Sequence, residues 1–206
     1  MRLFWSSRSP YARKVMLAAH ELGVVQRIEL VPTVVGLTKI DTELVRFNPL
    51  SQIPTLVLVD GRVIHDSLVI CEYLDTVSER PILFPREQAR RVDALTRHAI
   101  GQAMTETLVR QFSERKRAAD PLQPGYVKAC REKFARAADA LERECAAWSA
   151  RPVDIGDLAI ACALSYADFR FAQDNWPCGR GALAAWYHGF DQRPSMLATA
   201  FVAPTA

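Results

Sequence analysis

Two serines stand where this chain could do chemistry: Ser9, followed by Pro10, and Ser67, preceded by Asp66. Each opens a stretch of helical periodicity. A hydroxyl there lies beside free backbone N–H groups and the positive end of a helix dipole. Such a hydroxyl either caps the helix or donates its hydrogen to a bound anion, a carboxylate or a thiolate. Ile53-Pro54 lies between the two serines in sequence. Other chemistries lack their residues: the four histidines (20, 65, 98, 188) have no metal-ligand spacing, and no Ser-His-Asp set, phosphate loop or metal cluster is recognisable. The five cysteines (71, 130, 145, 162, 178) are odd in number and form no Cys-x-x-Cys, which points to free thiols in a reducing compartment.

The elements that must position these serines alternate between strand and helix. Leu3 to Trp5 is a short apolar run; Tyr11, Val15, Ala18 and Leu22 then recur at helical spacing, and Gly23 supplies the stop. Arg27 to Val31 alternates as a second strand, and Leu37 to Phe47 reads as a short helix. Thr55 to Val59, the turn pair Asp60-Gly61, and Arg62 to His65 make a hairpin, because Asp-Gly accepts the positive φ angles of a tight turn. Asp66-Ser67 opens a helix carrying Leu68, Cys71 and Leu74 on one face. The order β-α-β-α-β-β-α predicts a small mixed sheet with helices against it.

Pro81 and Pro85 interrupt any helix between Glu79 and Arg86, and strand signals vanish beyond. Val92, Leu95, Ala99 and Ala103 form one apolar stripe. Val127, Cys130, Phe134, Leu141, Cys145 and Trp148 form a longer one. In Val153-Asp154-Ile155-Gly156-Asp157-Leu158, Asp154 can cap the amide of Asp157, Asp157 can answer, and Val153 can staple onto Leu158. The run Leu158 to Phe169 is apolar almost all round, which predicts the buried centre of a helical bundle. The domains expected are 1–78, a linker 79–86, and an all-helical part 87–206.

Half of the 206 residues are apolar and 24% are charged, the composition of a folded globular protein. A net charge of +3 is too small to argue for nucleic acid or an anionic membrane, so neither is expected as a partner. The densest basic run, Arg110 to Arg117, is broken by Glu114 and reads as a solvated helix face. The start of the chain has no apolar leader, and Leu158 to Ala167 is far short of a membrane span, so a cytoplasmic location is expected.

Asn48-Pro49-Leu50-Ser51-Gln52-Ile53-Pro54-Thr55-Leu56, followed by Asp66-Ser67-Leu68-Val69-Ile70-Cys71-Glu72-Tyr73-Leu74, resembles the glutathione-binding core of the cytosolic glutathione S-transferase superfamily. Ser9-Pro10-Tyr11-Ala12-Arg13-Lys14-Val15 is similar to the first helix of its serine-type classes, and Arg193-Pro194-Ser195 with Ala198-Thr199 to the closing segment of bacterial members. The resemblance implies the glutathione transferase fold: an α/β thioredoxin-like N-terminal domain, an all-α C-terminal helical bundle, and a homodimer. It implies a cis peptide at Pro54, with the backbone of Ile53 pairing with the cysteinyl part of glutathione. Ser67 would hold the γ-glutamyl carboxylate, Asp66 the glutamyl amine, and Gln52 would lie near the glycyl end. Asp66 is one methylene shorter than the Glu or Gln common in the family.

By the same resemblance Ser9 would donate to the glutathione thiolate, although Ser6-Ser7 resembles the serine pair of other classes and keeps that register open. The nucleophile would belong to glutathione, the co-substrate, and no metal is implied. No cysteine lies near this helix start, unlike the cysteine-type members. Trp5, Arg8, Arg97 and Met104 fall where the family forms its pocket for a small electrophile. The resemblance leaves glutathione-dependent isomerisation or disulfide reduction open in the same site. A non-catalytic protein-binding module, like the stringent starvation protein family, is the alternative of another class.

Overall fold

A computed structural model describes residues 1–36, 39–115 and 124–202. By packing the chain divides into two units. One is Met1–Arg86 together with the described residues from Pro194 on; the other is Glu87–Arg193.

The first unit is built on a four-stranded sheet of β1 (Arg2–Trp5), β2 (Glu29–Pro32), β3 (Thr55–Val57) and β4 (Val63–Ile64), in the order β2-β1-β3-β4. β1 runs parallel to β2, which requires a crossover, supplied by α1 (Pro10–Glu21). β3 runs antiparallel to both β1 and β4. The fully buried Leu3 and Leu56 face each other across β1 and β3. α1 buries Ala12, Val15, Leu17, Ala18 and Ala19, and α2 (Ser67–Thr76) buries Ile70, Cys71 and Leu74, the faces on which the two helices meet. Gly61, at φ +86°, makes the hairpin turn that Asp60-Gly61 predicts. Over the expected helix 37–47 the structure has only a 3-10 turn, Leu44–Arg46. The Asp41 carboxylate accepts from the amides of Glu43 (3.1 Å) and Leu44 (2.8 Å), a side-chain turn that competes with helix. Leu37 and Thr38 lie outside the described residues. After α2, the buried Asp75 carboxylate accepts from the amides of Ile82 (2.9 Å) and Leu83 (2.8 Å), fixing the proline-containing segment.

The second unit contains α3 (Gln88–Arg115), α4 (Pro124–Glu144), a 3-10 turn over Cys145–Ala150, α5 (Ile155–Phe171) and α6 (Gly181–Asp191). Every residue from Ile155 to Ala167 is buried, so α5 is the centre of this unit. The capping box at its start is formed: Asp154 accepts from the amides of Gly156 and Asp157, and Asp157 accepts from the amide of Asp154. Both carboxylates are buried and paired, Asp154 with Arg97 (2.6 Å) and Arg151 (2.8 Å), and Asp157 with Arg151 (2.7 Å).

α3 presents a different face from the one its apolar residues suggest. Val92 and Ala99 are exposed, whereas Ala94, His98, Gly101, Met104, Thr105, Leu108 and Gln111 are buried. The cause is close approach to α5. A Cβ on Gly101 would lie 2.6 Å from backbone atoms of Ala159 and Ile160, and one on Gly156 would lie 2.7 Å from the Ala94 carbonyl oxygen. Small residues must line such a contact. The two contacts advance together along both chains, so α3 and α5 run parallel. Cys145 and Trp148, expected on one long stripe with Phe134 and Leu141, are buried but fall on the 3-10 turn beyond α4. Lys116 and Arg117, the end of the basic run, lie outside the described residues.

α7 (Pro194–Ala198) packs on α1 within the first unit. The expected helical part 87–206 includes this segment. Arg13, only 4% exposed, donates to the Met196 carbonyl (3.1 Å) and to Thr199 Oγ1 (3.4 Å), and its guanidinium lies 4.6 Å from the Phe201 ring centre. The Ser195 hydroxyl donates to Glu21 at the far end of α1. Among the described residues all four strands precede residue 65, and no helix is long and apolar enough to cross a membrane.

Candidate functional site

Strand register gathers the residues singled out from the sequence. Phe4 pairs with Thr55, and Leu56 with Ile64. The end of β1, the start of β3 and the end of β4 therefore lie at one end of the sheet. The chain leaving β1 passes through Ser6 to Ser9 into α1, the chain entering β3 comes through Gln52 to Pro54, and the chain leaving β4 passes through Asp66 into α2. Both helix N-termini start at this end. β1 and β4 are two strand spacings apart, about 10 Å, which is also roughly the reach of three extended residues.

Ser9 is the N-cap of α1: its Oγ accepts from the amide of Ala12 at 3.2 Å. That uses a lone pair and leaves the O–H, which has no acceptor among the described residues. Ser6 Oγ accepts from the amide of Arg8 (3.3 Å), and the Ser9 amide donates to the Ser6 carbonyl (3.0 Å), so the two serines belong to one turn.

The Ile53-Pro54 peptide is cis, as the resemblance implies. The loop around it is held by residues whose part the sequence reading missed. Asn48, 2% exposed, donates to the Gln52 carbonyl (3.1 Å) and to Thr55 Oγ1 (2.9 Å), and accepts from the amide of Leu50 (3.0 Å). The Thr55 hydroxyl donates to the same Gln52 carbonyl at 2.8 Å. Ser51, at φ +49°, accepts on Oγ from the amide of Asp41 (2.9 Å). The Gln52 carbonyl is thus turned inward while its side chain is exposed. The N–H and C=O of Ile53 have no partner among the described residues, which leaves a short strand edge of the kind that pairs with an extended peptide.

At α2 the structure corrects the cap. Asp66, not Ser67, is the N-cap, with Oδ1 accepting from the amide of Leu68 at 3.1 Å; the His65-Asp66 peptide is also cis. A carboxylate adds charge to the capping bond at a helix N-terminus, so it takes the role when it precedes a serine. Ser67 becomes the first helical residue. It is 1% exposed, and its hydroxyl makes no hydrogen bond among the described residues. Of the residues expected near an electrophile, Arg97 is committed to the Asp154 cap, and Met104 is 1% exposed in the core of the second unit. The Trp5 indole N–H is buried without a partner, and Arg8 is half-buried. Among the described residues, no group of three or more His, Cys, Asp or Glu is placed to hold a metal ion.

The glutathione S-transferase N-terminal domain family matches residues 8–77, and the C-terminal domain family matches residues 109–189. A crystal structure of a glutathione transferase family member from Pseudomonas fluorescens Pf-5, with bound glutathione, is 37% identical and superposes with a TM-score of 0.94 over 98% of this chain and 99% of that one. A glutathione S-transferase from Methylobacillus flagellatus KT, with GSH bound, is 28% identical with a TM-score of 0.86 over 98% of this chain and 99% of that one. The uncharacterised GST-like protein YibF of Escherichia coli (strain K12) is 27% identical over 202 residues, 97% of this chain and 98% of that protein. A mixed four-stranded sheet followed by a helical unit, both domain families in order, and end-to-end likeness to these proteins lead to one assignment: the chain belongs to the glutathione S-transferase superfamily.

Proposed function

We propose that the chain is a glutathione transferase that activates the glutathione thiol as thiolate for attack on a small electrophile. Ser9 donates its free O–H to the sulfur. The N–H and C=O of Ile53, presented beside the cis bond to Pro54, pair with the cysteinyl unit. Ser67 and the N-terminus of α2 take the γ-glutamyl carboxylate, the remaining Asp66 oxygen takes the glutamyl amine, and Gln52 lies toward the glycyl end. One observation carries this reading: the Ser9 O–H, the Ile53 N–H and C=O and the Ser67 hydroxyl, all at one end of the sheet, have no partner among the described residues. The glutathione held by the Pseudomonas fluorescens protein supports it. The same reading takes the protein as a cytoplasmic homodimer, with a glutathione-binding part over 1–78, a linker over 79–86 and a helical part from 87.

The energetics suit the role. Bringing a thiol of pKa about 8.5 to half-ionisation at pH 7 takes roughly 2 kcal/mol. A hydroxyl bonded to a charged sulfur contributes roughly 1.5–3 kcal/mol, and a helix N-terminus roughly 0.3–1 kcal/mol.

The test separates the two serines. Ser67→Ala removes a donor to a carboxylate that is charged whether the sulfur is thiol or thiolate. It should weaken glutathione binding by roughly 1.5–3 kcal/mol without moving the thiol pKa, and it leaves the Asp66 cap intact. Ser9→Ala removes a donor needed only once the sulfur is ionised, so the bound thiol's pKa should rise and turnover fall, with little change in affinity for the thiol form. It also removes an N-cap, at a cost of about 0.5–2 kcal/mol in stability, so activities are compared well below the melting transition. Thiolate absorbance against pH reads the first effect and calorimetry the second. A pKa that stays put in Ser9→Ala and rises in Ser6→Ala moves the role to Ser6; no glutathione binding at millimolar concentration ends the reading.

A further inference from the structure

The segment that returns to the first unit grips α1 at both ends, and the two grips differ. At the far end the Ser195 hydroxyl donates to Glu21, the last residue of α1. At the near end Arg13, which closes the first turn, donates to the Met196 carbonyl (3.1 Å) and to Thr199 Oγ1 (3.4 Å), with its guanidinium 4.6 Å from the Phe201 ring centre. Thr199 is itself fixed, because its hydroxyl donates to the Ser195 carbonyl at 2.8 Å and so faces Arg13 with a lone pair. Arg13, Ser195 and Met196 are 4%, 4% and 1% exposed, so water does not compete for this grip.

What Arg13 holds is the turn that carries Ser9. The Arg13 amide donates to the Ser9 carbonyl at 2.9 Å, and the Ala12 amide beside it donates to Ser9 Oγ at 3.2 Å. The first turn is the loose end of any helix, because its leading N–H groups have no partners within the helix, and Pro10 at the first helical position has no N–H to add. The direction in which the Ser9 O–H leaves the turn therefore depends on how firmly that turn is held. A guanidinium is suited to hold it: its N–H directions are fixed in one plane, and its faces can stack on a ring while the edge donates. A hydroxyl that must meet a reacting atom needs a placement good to about 0.5 Å.

We propose that Arg13, gripped by Met196, Thr199 and Phe201, is a positioning residue that aims the Ser9 hydroxyl at the glutathione sulfur; this rests on the transferase reading. The last residues of the chain then contribute to thiol activation without touching the substrate. The grip of Ser195 on Glu21 lies about 12 Å further along α1, so it steadies the helix but does not set the direction of the Ser9 O–H. Stability and thiol activation thus divide between the two ends of the returning segment.

The test makes Arg13→Gln, Arg13→Lys, Thr199→Val and Ser195→Ala in the whole chain and follows the thiolate absorbance of bound glutathione against pH. Arg13→Gln and Thr199→Val should raise the pKa of the bound thiol by about 0.5, so that the thiolate fraction is about threefold lower near pH 6 and equal to the parent's near pH 9. Arg13→Lys keeps the charge but lacks the planar fork that spans carbonyl and hydroxyl, so it should behave as Arg13→Gln does. Ser195→Ala should lower the melting temperature and leave that pKa where it is. Should Arg13→Gln fail to fold, Thr199→Val, a change at a half-buried position, decides alone. A pKa unmoved in Thr199→Val, an equal rise in Ser195→Ala, or full recovery in Arg13→Lys overturns the inference, the last because it would make the effect one of charge rather than placement. A parent that binds glutathione with a lowered thiol pKa, unchanged in these variants, keeps the transferase reading and removes this one; a parent that binds no glutathione ends both.

Discussion

Replacing Asn48 by Ala tests whether the cis-proline loop is held by one buried amide. Three hydrogen bonds are lost, those to the Gln52 carbonyl, Thr55 Oγ1 and the Leu50 amide. At a net worth of about 0.5–1.5 kcal/mol each, the range is about 1.5–4.5 kcal/mol. The partners left behind place the value in the lower half. The Gln52 carbonyl keeps the Thr55 hydroxyl as a donor, and Leu50 is 68% exposed, so its amide can turn to water. A loss of about 2 kcal/mol follows, which in a chain of this size lowers the melting temperature by about 4–8 °C. The effect should not be confined to stability, because the loop presents the Ile53 backbone, and glutathione affinity should fall about tenfold as that edge loses its fixed form. Urea unfolding gives the first quantity and calorimetry the second. Thr55→Val removes two bonds of this network, one of them the bond from Asn48 already lost in Asn48→Ala, so the double variant should cost less than the sum of the singles. An Asn48→Ala protein within about 0.5 kcal/mol of the parent refutes the reasoning. So does one that loses stability while binding glutathione unchanged.

Two helical glycines make a paired prediction. Gly101→Ala and Gly189→Ala gain the same helix propensity, roughly 0.5–1 kcal/mol, but a Cβ at Gly101 meets backbone 2.6 Å away and one at Gly189 meets nothing within 4 Å. Gly101→Ala should therefore melt lower than the parent and Gly189→Ala higher; shifts of one sign in both would show that α3 and α5 are not in contact there. For the cysteines, iodoacetamide at pH 8 followed by mass spectrometry should label the exposed Cys178 first. Cys145 should be labelled late, because burial, with Glu142 nearby, pushes its thiol up and lowers its thiolate fraction, and early labelling would contradict this.

What the sequence made legible was local. The capping box from Asp154 to Asp157 spans four residues, and the Asp60-Gly61 turn two, so neither depends on distant partners. The resemblance over residues 48 to 74 pointed to the right superfamily. What stayed hidden involved choices between near-equals or partners far along the chain. Asp66 and Ser67 are both competent caps, and only the bond to the Leu68 amide separates them. Arg97 reads as a solvent or pocket residue until Asp154, 57 positions away, is placed beside it. The buried face of α3 was misread because helices in close contact select small side chains over apolar ones, and apolar periodicity does not register Gly101 or His98. Asn48 marks its role only faintly: an asparagine before a proline can both donate to and accept from a loop, but nothing nearby says that it is buried.

The return of Pro194–Ala198 to α1 has a consequence for synthesis. A ribosome releases the α1 sequence early, yet the carbonyl of Met196, the hydroxyl of Thr199 and the ring of Phe201 that surround Arg13 are translated after residues 87–193. At about 5–20 residues per second that interval is on the order of ten seconds, long compared with the folding of a small sheet and two helices. During it the nascent first unit carries an Arg13 guanidinium that lacks its partners Met196, Thr199 and Phe201. A chain truncated after Arg193 would hold that intermediate permanently, and chaperones that survey nascent chains would meet an unfinished surface around α1 even where the sheet beneath it is complete.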